Sequence, residues 1–168
     1  SWMLFTILCS VPFIYTEINL SVVDALFESM SGVTTTGATV IGNLDQAPKG
    51  ILIWRAILQW LGGIGIIVIA LIILPFLRIG GMQLFHLEGD DPYDKFLPKI
   101  SSVVSKIFIV YITLTLILFF LYYLNGMSLF DSLAHSFTTI STGGFSTHNN
   151  SFAYFNNITI LNIAIIFM

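Results

Sequence analysis

Long apolar blocks separated by short polar ones set the outline of this chain. Trp2 to Thr16 runs fifteen residues without a charge, and Ala56 to Leu77 runs twenty-two. Ile107 to Leu124 is a third block, and Ile158 to Met168 opens a fourth. A helix needs about 20 apolar residues to cross a bilayer, so the second block predicts a full span. The first block falls short and reads as the outer end of a helix whose beginning is missing, with Pro12 kinking it or marking its end.

Between the blocks lie two stretches of another kind. Ser21 and Asp24 have the spacing that caps a helix start, and so do Ser128 and Asp131. The predicted helices, 22–32 and 129–139, would each be roughly 16 Å long at about 1.5 Å per residue. That is half a bilayer. Their C-terminal neighbours, 33–39 and 140–147, are rich in threonine, serine and glycine, which end helices. Half a helix leading into irregular backbone, flanked by apolar spans, predicts a re-entrant loop. Such backbone is tolerated at membrane depth only where protein or a water-filled cavity surrounds it.

These two stretches are copies of each other. Sliding the sequence by 107 residues lays SVVDALFESMSGVTTTGAT on SLFDSLAHSFTTISTGGFS without a gap, with six identities in nineteen positions. Ser21, Asp24, Leu26, Ser29, Thr35 and Gly37 meet Ser128, Asp131, Leu133, Ser136, Thr142 and Gly144. A repeat at a fixed offset governs the architecture. The chain therefore reads as two units. Residues 1–77 hold an outer helix, the half-helix 22–32, the loop 33–39 and an inner helix over 51–77. Residues 107–168 hold an outer helix over 107–124, the half-helix 129–139, the loop 140–147 and an inner helix from 158. Residues 78–106 connect them. The fold class is an all-α polytopic membrane protein.

Composition strengthens this picture. Of 168 residues, 56% are apolar and 9% charged, against roughly 25% charged in soluble domains. The net charge of −3 says little about partners, and the sequence offers no basic face suited to nucleic acid. Cys9, alone, excludes a disulfide and a thiolate cluster and reads as a small packed hydrophobe. Four of the six basic residues, Arg78, Lys95, Lys99 and Lys106, fall in one polar segment, which the positive-inside bias places in the cytoplasm. With two spans between them, both Thr/Gly loops then open to the opposite side.

The loops carry the chemistry. Their hydroxyls and unpartnered carbonyls are hard oxygen ligands able to replace the hydration shell of an alkali cation. A half-helix ending at each loop adds the negative end of its dipole, which favours a cation. Neither loop contains a carboxylate, which suits a monovalent ion better than Ca²⁺. Gly62, Gly63 and Gly65 lie inside the second apolar block, where small residues let helices approach closely. Trp54 and Trp60 near its start fit an interfacial position.

The order of span, half-helix, Thr-x-Gly loop and span resembles the repeat of potassium channels and of the Trk/Ktr/HKT potassium-uptake proteins. Four stretches look specifically like the membrane subunits of bacterial Trk systems: residues 31–39, 54–63, 80–84 and 141–148. The resemblance covers essentially all of the chain. It implies four such units around one pore, of which this sequence would supply the first two. It places the ion-coordinating filter on Thr35, Thr36 and Gly37 and on Thr142, Gly143 and Gly144, flanked by Thr34, Ala38, Thr39, Ser141 and Phe145. Glycine at positions 37 and 144 points to potassium over sodium. The copies differ where Thr36 faces Gly143 and Ala38 faces Phe145, so each would contribute unequally. The resemblance further implies a bacterial inner-membrane location, lipid as the surrounding medium, a homodimer and a cytoplasmic nucleotide-binding regulatory subunit. Potassium would be the substrate, and no organic cofactor is called for.

Several single residues admit more than one reading. Ser21, Asp24, Ser128 and Asp131 read as helix caps. Glu28 could orient its half-helix or tune cation access. Arg55 reads as a snorkelling or salt-bridged anchor. His135 reads as a packed side chain, and neither it nor His148 has the acidic or thiol partners of a metal pair. The rival to a conducting pore is a membrane-embedded enzyme using Asp24, Glu28 and His135 as acid and base groups; a non-conducting structural subunit is the third reading.

Overall fold

Capped amphipathic stretches and uncharged blocks become six α-helices in the computed structural model, which describes residues 2–16, 18, 20–73 and 92–168. They are α1 (Trp2–Ile14), α2 (Val22–Val33), α3 (Lys49–Ile73), α4 (Pro92–Leu124), α5 (Leu129–Ile140) and α6 (Ile158–Phe167), with a 3₁₀ turn at Ser151–Phe155. No β-strand occurs among the described residues. Lys49–Ala70 and Ser102–Leu124 are long and apolar enough to cross a membrane.

The two short helices start alike. Ser21 sits at φ −64°, ψ 159° and its hydroxyl accepts from Asp24 N–H; Ser128 sits at φ −61°, ψ 157° and accepts from Asp131 N–H. Each hydroxyl also donates to its aspartate Oδ2 at 2.7 Å. Both helices run one residue beyond the predicted ends, so Val33 and Ile140 are helical and the loops begin at Thr34 and Ser141. Pro12 lies inside α1, two residues before its end.

Two boundaries differ from the sequence reading. The helix expected over 107–124 begins at Pro92. Polar residues mark where burial in lipid stops, but they do not stop a helix, and proline is well suited to its first position. Residues 78–91, which include the 80–84 motif and about half of the expected cytoplasmic connection, lie outside the described residues, as do 74–77 of the inner helix.

Each unit has its own apolar core. Phe13, Ala25, Val33 and Leu58 are among the buried residues of the first, and Leu118, Tyr122, Met127 and Ile160 form the second. Ile109, Ile165 and Ile166 point outward from their helices, as lipid-facing side chains do. The helix α3 serves both units, packing against α2 and α5. Glycines make that possible. A Cβ on Gly62 would stand 2.1 Å from the Val33 carbonyl oxygen, and one on Gly63 would stand 2.9 Å from Ser141 Cβ. Adjacent residues of one helix thus rest against the C-terminal ends of both half-helices. Trp54 donates to the Cys9 carbonyl. Trp60, expected near an interface, instead lies mid-span, donates to Thr115 Oγ1 and packs against Phe108, Tyr111 and Phe137. Its indole N–H finds a partner inside the protein, so no interfacial water is needed.

Candidate functional site

The loops after α2 and α5 share one backbone path. Thr35 N–H donates to Gly32 O and Thr36 N–H to Ser31 O; 107 residues on, Thr142 N–H donates to Thr139 O and Gly143 N–H to Thr138 O, all within 2.9–3.0 Å. Thr35 has φ 56° and Gly37 φ 78°; Thr142 has φ 52° and Gly144 φ 81°. The residues between, Thr36 and Gly143, are not in the left-handed region. Backbone that alternates between left- and right-handed residues can turn successive carbonyls toward one side of a strand. For β-branched threonine a positive φ is a true outlier, and such strain concentrates where ligands are held.

Each loop is then tied back to its own half-helix at matching positions. Glu28 accepts from Thr39 Oγ1 at 2.8 Å and from Val40 N–H at 3.0 Å. His135, aligned with Glu28 in the repeat, lies 3.0 Å by Nε2 from Ser146 Oγ, the counterpart of Thr39. The other ring nitrogen, Nδ1, is 2.9 Å from the Asp131 carbonyl, which can only accept. Nδ1 therefore carries the proton and Nε2 accepts from the serine hydroxyl. In the same way Ile41 N–H donates to Thr39 Oγ1 and His148 N–H to Ser146 Oγ. A carboxylate does in one unit what a neutral imidazole does in the other.

The units also meet directly. A Cβ on Gly37 would stand 2.1 Å from the Gly143 carbonyl oxygen, so only glycine lets the two strands approach here. Arg55, 1% exposed, donates by Nε to Glu28 Oε1 at 2.7 Å and by Nη1 to Ser146 O at 3.3 Å, with its guanidinium 4.0 Å above the Phe145 ring. Of the two readings for Arg55, the structure has the salt-bridged one, and Glu28 is its partner. One turn on, Gln59 donates to Gly143 O at 2.7 Å and accepts from Phe145 N–H at 3.1 Å. Sequence reasoning passed over Gln59. The signal was its polarity at four residues from Arg55 in an otherwise apolar span, where polar side chains are costly and tend to be functional.

Farther out, the segments beyond the two strands interlock. Asn149 Oδ1 accepts from Leu44 N–H, and Asn149 Nδ2 donates to Asp45 Oδ2. His148 corrects the reading that it lacks acidic partners: Nδ1 is 2.7 Å from Asp45 Oδ1 and Nε2 is 3.4 Å from Asp131 Oδ1, with the ring stacked on Tyr154. Those carboxylates are remote in sequence and become neighbours only on folding. Among the described residues no group of acidic, histidine or cysteine side chains is arranged to hold a metal. Asp131 also accepts from Thr147 Oγ1 at 2.7 Å. Burial would raise its carboxyl, but the hydrogen bonds from Thr147 and Ser128, with His148 and His135 nearby, hold it below the usual carboxylate range. A cavity of about 260 Å³ lies between the units here, lined by Asp45, Lys49, Asp131 and His148 among others.

The three groups of the enzyme reading are committed elsewhere. Asp24 caps its helix, Glu28 holds Arg55 and the first strand, and both ring nitrogens of His135 are taken.

A family model described as cation transport protein, TrkH, matches residues 1–168. The Trk system potassium uptake protein TrkH of Vibrio parahaemolyticus is 48% identical over 162 residues, covering 95% of this chain and 33% of that protein. The Trk system potassium uptake protein TrkG of Escherichia coli is 42% identical over 166 residues, covering 97% of this chain and 34% of that protein. The crystal structure of the potassium transporter TrkH from Vibrio parahaemolyticus superposes with a TM-score of 0.85 at 44% identity, over 99% of this chain and 33% of that one. The chain thus spans about a third of the length of the relatives it matches.

Proposed function

The chain belongs to the TrkH family of cation transport proteins, and from that membership we propose that it forms part of a membrane pore for potassium uptake. It is a helical membrane protein, and its relatives are transporters, not enzymes. Thr35, Thr36 and Gly37 form one strand of the selectivity filter, and Thr142, Gly143 and Gly144 form another. Thr34, Ala38, Thr39, Ser141 and Phe145 flank them.

The observation that carries this reading is the repeated strain. Two unrelated stretches of loop would have no reason to place threonine and then glycine in the left-handed region at matching positions. Aligned carbonyls at the negative ends of two half-helices would exchange for the water around a potassium ion as it enters. No covalent step is involved. Once past the strands, the ion would move into an inner cavity shared with further units of the same kind. The resemblance adds two partners to the proposal: a second copy of the whole protein, and a cytoplasmic nucleotide-binding subunit docking on the 78–106 connection.

The test is rubidium uptake by bacteria lacking other potassium-uptake systems and expressing the full-length protein. Gly37→Ser and Gly144→Ser should each weaken discrimination between potassium and sodium. Unchanged selectivity in both variants would sink the filter assignment, and absence of uptake by the wild type would favour a non-conducting role.

A further inference from the structure

Selectivity by carbonyls depends on how many oxygens from different strands surround the ion and how they are held. The strands at Thr35–Gly37 and Thr142–Gly144 belong to separate units, so some other group must set their spacing. Beside the direct approach of Gly37 to the Gly143 carbonyl and the outer contacts of Asn149 and His148, one helix holds both strands from behind. On α3, Arg55 grips the second strand at Ser146 O and lies on Phe145, while Glu28 joins the same guanidinium to the first strand through Thr39 and Val40. One turn further, Gln59 holds Gly143 O and Phe145 N–H, beside the point where Gly37 meets that same oxygen. A carbonyl oxygen has two lone pairs, so Gln59 aims the Gly143 carbonyl while leaving one for an ion.

We propose that Glu28, Arg55 and Gln59 are positioning residues that bracket the two filter strands to each other and thereby determine ion specificity. The inference rests on the filter reading above. Stability alone is a poor reason for such a pair, because a buried ion pair can often be replaced by apolar residues without loss, whereas its retention can specify one geometry. The bracket is also one-sided. The position 107 residues after Glu28 is His135, and α6, Ile158–Phe167, carries no charged side chain. The second unit lacks this charge pair.

The experiment uses the full-length protein in the uptake-deficient cells, comparing rubidium KM, maximal rate and the sodium concentration that halves uptake. The double variant Glu28→Gln/Arg55→Gln leaves no unpaired buried charge, and Gln59→Met introduces none. Both should retain rubidium uptake while sodium competes roughly 10-fold more strongly, the scale of one lost hydrogen bond. Arg55→Lys, which keeps the charge and loses the fork, should fall between them and the wild type. Wild-type sodium competition in both the double variant and Gln59→Met would overturn the bracket, as would a fall in maximal rate with discrimination intact. If the double variant fails to reach the membrane, Gln59→Met decides on the same criterion. Gly37→Ser is measured alongside. If it shifts selectivity and the bracket variants do not, only the bracket is lost; if it shifts nothing, the filter reading beneath it has failed.

Discussion

Thr35 and Thr142 stand 107 positions apart and hold the same left-handed backbone, φ 56° and 52°. Holding an L-residue there costs about 1–2 kcal/mol, and the cost is met twice. Glycine at either position should relieve it. Thr35→Gly is therefore expected to leave the thermal midpoint of the purified protein unchanged or higher, since the relief offsets glycine's larger unfolded-state entropy. Thr36→Gly, next door in ordinary backbone, should cost about 1 kcal/mol. A Thr35→Gly loss as large as that of Thr36→Gly would show that the left-handed residue stores no strain.

Gly62 tests the seating of the half-helices. Its missing Cβ would lie 2.1 Å from backbone at Val33, which cannot swing aside. Gly62→Ala should destabilise by about 1–3 kcal/mol or more through overpacking. Gly50, in the same helix with nothing within 4 Å, is the control. Gly50→Ala should be neutral or stabilising. Unfolding midpoints in detergent separate the two.

Removing one half of the buried pair should be worse than removing both. Glu28→Gln leaves Arg55 charged and buried, at a cost of about 3–5 kcal/mol. Adding Arg55→Gln should recover much of that loss. A double-mutant cycle on folded yield and unfolding midpoint measures it, and additive losses would argue that the two side chains act independently.

The mouth cluster should be acid-sensitive. Because the Asp131 carboxyl is held low in the folded protein, its contribution is fully present above the ordinary carboxylate pKa of about 4. It is lost as pH falls through the lower, folded value. Proteolytic cutting within 141–150 should accelerate below that range in the wild type. Asp131→Asn should cut faster at neutral pH and lose the acid step, whereas an acid step of undiminished size in that variant would assign it to another group.

Much of this protein is local and so was legible in the chain. Ser21 and Asp24, like Ser128 and Asp131, cap helices through contacts three residues long, and the half-helix ends fell within one residue of their expected places. The 107-residue repeat carried over into the backbone, because matching side chains at matching spacing produce matching conformations, down to the φ of Thr35 and Thr142. Apolar length announced the spans. The extension of α4 back to Pro92 escaped notice because polarity reports contact with lipid, not helicity. The contacts between units were decided only by the tertiary structure. Glu28 meets Arg55 across 27 residues, Arg55 meets Ser146 across 91, and Gln59 meets Gly143 across 84. His148 gains Asp45 across 103. No periodicity encodes such partners: a charged or polar side chain inside an apolar span says that something must satisfy it, and only the packing of one unit on the other says what.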